Sequence, residues 1–106
     1  MLVLLDQGTP VPARHFLTRH TVETAYERGW SALSNGELLQ VAEQAGFEVL
    51  VTTDTNMRYQ QDLTKRRICV VVLTTTNWPR IRAASDLLGG AVDRAATDRY
   101  VEVRIP

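Results

Sequence analysis

A single cysteine, Cys69, is all the thiol chemistry this chain carries, so it can form no internal disulfide and has no thiolate cluster for zinc. The thiol stands within "RRICVVVL", whose apolar residues predict a buried and inert group. Histidine is nearly as scarce. His15 and His20 fall at i, i+5, not the i, i+4 spacing that lets two helical imidazoles share a metal, and both read as surface or half-buried residues. Long apolar runs are missing too, which excludes a membrane-spanning helix. No basic stretch followed by an apolar core opens the chain, so no export signal is expected and a cytoplasmic address follows. Repeats, low-complexity tracts and linkers are also lacking, and 106 residues suffice for one domain, 1–106, with a modest core. Even net charge is lacking, since twelve bases balance twelve acids. That balance hides a division: residues 1–57 carry −4 and residues 58–106 carry +4. Catalytic acids are therefore sought in the first half and phosphate-binding bases in the second.

What the chain does have is alternation of strand and helix. Residues 2–5, 48–52 and 68–73 are apolar on both faces, whereas 21–24 and 100–105 alternate. Between them, Pro12 opens a helix whose stripe is Ala13, Phe16, Leu17 and His20. "SNGELLQVAEQAG" is a helix with a Ser34–Glu37 capping box, an inner face of Leu38, Leu39, Ala42 and Ala45, and Gly46 at its end. "MRYQQDL" reads as a short helix capped by Asn56, and "WPRIRAASDLLGGAVDRAA" as a helix broken near Gly89-Gly90. Trp30 and Trp78 read as packing residues at loop-to-helix junctions. The order β-α-β-α-β-α-β-α-β predicts an α/β fold: a three-layer α/β/α sandwich around a mostly parallel five-stranded sheet, with the two alternating strands at its edges. The edge strand "YVEVRI" leaves room for pairing with a second copy in a homodimer.

Ligands of such sheets bind beyond the carboxyl ends of the strands, where strand order reverses. Asp6 and Asp54 each follow an interior strand, so both carboxylates are expected on one rim. Glu37 is expected near the opposite rim unless the loop "ERGWSALSN" carries the start of its helix over. Converging carboxylates repel one another unless a hard cation joins them, which points to Mg²⁺ or Mn²⁺ and to phosphodiester hydrolysis. Each residue also has a local use: Asp6 in an Asx turn before Gly8 and Pro10, Glu37 in the capping box, and Asp54 or Asn56 as cap of the next turn. Arg58 and the run Lys65, Arg66 and Arg67 are the bases nominated for contact with substrate phosphates. A phosphoacceptor domain of the receiver type would need an acidic pair after the first strand and a late lysine. The chain has Asp6-Gln7 and "TTTNW" instead.

The segments "LLDQGTP", "GWSALSNGELLQVAEQAGFEVLVTTDTN" and "VVVLTTTN" resemble the short PIN-like domain family of bacteria over roughly residues 1–80. The order of features agrees: an acid after strand one, "GW" before a helix that opens with an acid, then Thr52-Thr53-Asp54-Thr55-Asn56 as a T-x-D-x-[DN] segment. The resemblance implies a PIN-like fold and an Mg²⁺-dependent ribonuclease acting on an RNA substrate. Such domains often serve as the toxin of a toxin–antitoxin pair, with a small antitoxin protein as partner. Carried over residue by residue, Asp6, Glu37 and Asp54 would be the catalytic, metal-binding acids, and Asn56 would join them where many relatives have Asp. Thr52 or Thr53 would orient the carboxylates. The chain departs from the pattern at Gln7, where relatives commonly have Glu, and at Asn35, where many have Asp. Three carboxylates at most are left, enough for one metal ion but a poor basis for two. The same neutral residues support a second reading, a catalytically inactive PIN-like module that binds a protein or RNA.

Overall fold

The computed structural model of the chain describes residues 1–106, except that the side chains of Arg58 and Gln60 lie outside the described residues. Strands β1 (Leu2–Leu5), β2 (Thr21–Thr24), β3 (Val49–Thr52), β4 (Cys69–Leu73) and β5 (Tyr100–Val103) form one sheet in the order β2-β1-β3-β4-β5. Every neighbouring pair is parallel. The three doubly apolar strands are the interior ones and the two alternating strands are the edges, as the pattern predicts. Val3 to Leu5, Val49 to Thr52 and Cys69 to Leu73 are all buried, because helices and turns cover both faces of the sheet.

On one face Val3, Leu5, Val49, Val51, Val71 and Leu73 pack against α3 (Trp78–Ala83), α4 (Ser85–Asp98) and the 3-10 turn Val11–Phe16. On the other, Leu4, Leu50, Val70 and Val72 meet α1 (Asn35–Gln44), Phe47 and Met57 at the start of α2 (Met57–Gln60). Leu50 and Leu4 are fully buried, and truncating either to Ala would cost about 2–5 kcal/mol. Trp78 packs against the first cluster and Trp30 against the second, so both tryptophans are packing residues. Cys69 is buried, and desolvation pushes its thiol pKa up, in keeping with an inert group.

Three local expectations change. The first helix is only a six-residue 3-10 turn, Val11–Phe16. Leu17 leaves helical geometry because the chain must enter β2 four residues later, and Phe16 stays partly exposed against Trp78 with ring centroids 5.8 Å apart. The break expected at Gly89-Gly90 falls at Ala84, while both glycines stay helical inside α4. Burial of Leu88, Ala91, Val92 and Ala95 overrides the low helix propensity of glycine there. Asn56 precedes α2, yet its side chain makes no capping bond. The capping box of α1 forms as expected, and Gly46 follows the helix with φ +90°, a left-handed conformation suited to glycine.

Candidate functional site

The strand order places a topological switch between β1 and β3. From β1 the chain moves out to β2, returns over β1 to β3, and then proceeds the other way to β4 and β5. The connections leaving the carboxyl ends of β1 and β3 therefore diverge, which opens a crevice at that rim. Asp6 follows β1 directly and Asp54 stands two residues beyond β3. Both flank that crevice.

The segment after β1 is tied to β3 by main-chain bonds. Asp6 donates its N–H to Val51 O at 2.9 Å, extending the β1–β3 ladder by one residue. Thr9 closes the turn, with N–H to Asp6 O at 3.0 Å and its buried hydroxyl to the same Val51 O at 3.0 Å. Gly8 is required by close approach: a Cβ at this position would lie 2.8 Å from Thr53 Oγ1. The turn 6–9 thus presses flat against the end of β3.

Thr52 links the two carboxylate residues. Its hydroxyl, on a residue with no exposed surface, donates to Asp6 Oδ2 at 2.6 Å and accepts the Asp54 N–H at 3.1 Å. Of the two threonines expected to orient the acids, it is Thr52 whose hydroxyl does so. Asp6 Oδ1 takes the N–H of Gln7 at 2.6 Å. Asp54 Oδ1 takes the N–H of Asn56 at 2.9 Å, an Asx turn that leads into α2. Asp54 Oδ2 accepts from Asn35 Nδ2 at 2.7 Å. Asn35, which in sequence stands as a missing acid, is therefore a residue that holds Asp54 in place. The bond also shows that α1 starts at this rim and not at the opposite one, because a crossover helix runs antiparallel to the strands it connects.

Glu37 does not join this group. Its carboxylate folds back onto the start of its own helix, with Oε1 accepting Ser34 N–H at 3.1 Å and Ser34 Oγ at 2.8 Å. The main-chain bond from Ser34, followed by the hydroxyl bond, lowers its pKa. Among the described residues no three of His, Cys, Asp and Glu assemble as a group able to hold a metal ion. The bases stand apart as well. Arg66 and Arg67 both pair with Glu43 of α1, at 3.3 Å and 3.8 Å, and Lys65 lies 3.7 Å from Asp62. These residues lead into the amino end of β4, away from the rim that carries Asp6 and Asp54. The side chain of Arg58, the fourth nominated base, lies outside the described residues. A cleft of about 370 Å³ lined by Glu43, Glu48, Arg67, Cys69 and Arg99, and another of about 320 Å³ between His20 and α4, do not include the two aspartates.

As a donor set, the rim suits a small hard cation. Among the described residues each of the four carboxylate oxygens accepts one hydrogen bond, and neither aspartate forms an ion pair there. Mg²⁺ characteristically uses one or two carboxylates and completes its shell with water and phosphate oxygens. Two aspartates, fixed by Thr52, Asn35 and main-chain N–H groups, are the carboxylates this rim offers. No family model, no curated protein and no solved structure shows significant similarity to this chain.

Proposed function

We propose that the protein is a PIN-like, Mg²⁺- or Mn²⁺-dependent ribonuclease whose metal would be held by Asp6 and Asp54. The observation that carries this reading is the Thr52 hydroxyl, which joins the Asp6 carboxylate to the Asp54 main chain at the switch point of a parallel sheet. Bound there, the cation would supply Lewis-acid polarisation of a phosphate oxygen and a water of lowered pKa. The chain's own part is positional. Thr52 fixes Asp6, Asn35 and the Asn56 N–H fix Asp54, and Gly8 keeps the first turn low enough for both carboxylates to be reached. Glu37 serves the helix end in this reading, and Asn56 contributes its N–H. An RNA substrate, an antitoxin partner and a cytoplasmic setting belong to the same proposal.

The test pairs metal binding with cleavage. Thermal unfolding of the wild type at increasing Mn²⁺ or Mg²⁺ should rise in midpoint, and Asp54→Asn should abolish both that rise and RNA cleavage. A wild type that gains nothing at millimolar metal, or an Asp54→Asn variant that still cuts RNA, would remove the assignment.

One observation favours a second reading, a non-catalytic module that binds a protein or RNA. With Glu37 engaged in the capping box and Gln7, Asn35 and Asn56 neutral, Asp6 and Asp54 are the only acids at the crevice among the described residues. Absence of any metal-induced stabilisation, with RNA or protein binding retained, would select it.

A further inference from the structure

The two edges of the sheet are treated differently by the sequence. On β2, Thr21 donates its N–H to Met1 O and Ala25 its N–H to Leu5 O, so the odd-numbered residues face β1. The main-chain groups of Val22 and Thr24 therefore face outward, and Val22 O and both groups of Thr24 are occupied, the Thr24 O by Arg28 N–H at 3.2 Å. Arg14 Nη2 donates to Val22 O at 2.8 Å, Thr24 donates its N–H to Glu27 Oε1 at 2.9 Å, and Arg14 and Glu27 pair at 2.8 Å. An Arg–Glu clasp thus closes this edge to any further strand.

Among the described residues no such clasp protects β5. Val70 donates its N–H to Arg99 O and Thr74 its N–H to Val103 O, while Ile105 N–H reaches Thr74 Oγ1. The odd-numbered residues face β4, and their side chains Val101, Val103 and Ile105 are buried in the chain's own core. The N–H and C=O of Glu102 and Arg104 face outward, and among the described residues nothing bonds them. Both side chains are exposed. Beyond β5 the chain end is tied down, because Arg80 donates to Ile105 O at 3.0 Å and to Pro106 O at 2.9 Å.

We propose that this edge binds a second copy of the chain, β5 pairing antiparallel with β5 about a two-fold axis at Val103. The sequence around that axis is complementary to itself. Glu102 of one copy lies opposite Arg104 of the other, twice, and these are the residues whose main-chain groups face outward. They form hydrogen-bonded pairs, giving four main-chain bonds, while Val103 meets its own counterpart in the non-hydrogen-bonded position between them. Charge also fixes the register. A slip of two residues in the pair sum sets Glu102 against Glu102 or Arg104 against Arg104, and like charges directly opposite are unfavourable. The result is an isologous dimer with a continuous ten-stranded sheet, twice the five strands of one chain. Because the paired strands run in opposite directions, the two carboxyl rims lie at opposite ends, and each crevice keeps all its own residues. The dimer is independent of any metal or RNA chemistry.

Sedimentation equilibrium of the wild-type chain tests this without metal or nucleic acid. The expected mass at high concentration is twice 11.9 kDa. Glu102→Arg and Arg104→Glu each turn two attractive pairs into two repulsive ones and should raise the dimer Kd by roughly thirty-fold. Both substitutions are at exposed side chains, so circular dichroism, and the thermal midpoint at concentrations low enough for the wild type to be monomeric, should stay at wild-type values. An equimolar mixture of the two variants restores opposite charges at both positions and should recover the dimer as a heterodimer. A wild type of single-chain mass up to about 1 mM, a dimer indifferent to either reversal, or a mixture that stays monomeric would each overturn the proposal.

Discussion

Thr52→Val tests the central linkage because valine keeps the shape of the side chain and its preference for strand, and removes only the hydroxyl. Two bonds are lost. One is the 2.6 Å donation to the Asp6 carboxylate, and the other is the 3.1 Å acceptance from the Asp54 N–H. A hydrogen bond to a charged group contributes about 1.5–3 kcal/mol and one between neutral groups about 1. Asp6 and Asp54 are half-exposed, so water replaces part of the loss, while the methyl group that takes the place of the hydroxyl sits in a fully buried position. The expected net destabilisation is about 2 kcal/mol. In a domain of this size that lowers the thermal midpoint by roughly 10 °C. Urea unfolding should show it as a lower midpoint at unchanged m-value. The more telling readout is the metal response. With the hydroxyl gone, neither the Asp6 carboxylate nor the Asp54 backbone is held in register with the other, and the Mn²⁺-induced rise should shrink, whereas Thr52→Ser should retain most of it. A valine variant within about 0.5 kcal/mol of wild type and with an intact metal response would refute the claim that Thr52 couples the two aspartates.

Gly8→Ala brings a methyl group to 2.8 Å from Thr53 Oγ1, so either the turn or Thr53 must move, and the expected loss is about 1–2 kcal/mol with a weakened metal response. Urea unfolding and the Mn²⁺ thermal shift read the two effects. Glu37→Ala removes half of the capping box and should lower the thermal midpoint by a few degrees while leaving metal-induced stabilisation and any RNA cleavage unchanged; loss of the metal response would place Glu37 in the site after all. Acidification should destabilise the fold. Bonds from Arg14, Ser34 and Thr64 lower the pKa values of Glu27, Glu37 and Asp62 respectively, so at mildly acidic pH the unfolded chain takes up more protons than the folded one. That stability is fully present above the ordinary carboxylate pKa values and is lost as pH falls through the lowered ones. Urea midpoints that do not change between about pH 6 and pH 3 would contradict it.

How far the sequence disclosed this structure depended on whether a local pattern had one physical outcome or several. The interior strands were legible because runs such as "CVVVL" are apolar on both faces and only an interior position of a parallel sheet buries both. The capping box was legible because Ser34 and Glu37 form a closed local motif. The 3-10 turn and the unbroken α4 were not, since each is decided by distant packing: the first by the short path into β2, the second by the apolar face that α4 buries against the sheet. For the site, the positions of Asp6 and Asp54 followed from strand ends alone. Their partners did not. Thr52 stood as one of two candidate threonines. Gly8 and Thr9 gave only the turn signal of "DQGTP", and nothing local shows that Thr9 is buried and bonded to Val51 O.

Asn35 and Glu37 show most clearly why charge counting along the sequence misjudges this rim. Both stand in the first turn of α1, which begins at the carboxyl rim, yet only the neutral residue reaches the site. Glu37 has a nearer use, because the free N–H and hydroxyl of Ser34 lie one helical turn away and are satisfied without crossing the crevice. Asn35 reaches Asp54 instead, and its amide offers what a carboxylate does not, an N–H donor to Asp54 Oδ2. An acid at position 35 would set a third negative charge against Asp54 and require a cation merely to be tolerated. An amide instead holds Asp54 in place whether or not a cation is bound. The neutral residue therefore gives a rim whose two carboxylates are held by hydrogen bonds alone, and under the proposed function those two charges, not three, would be what a divalent ion meets.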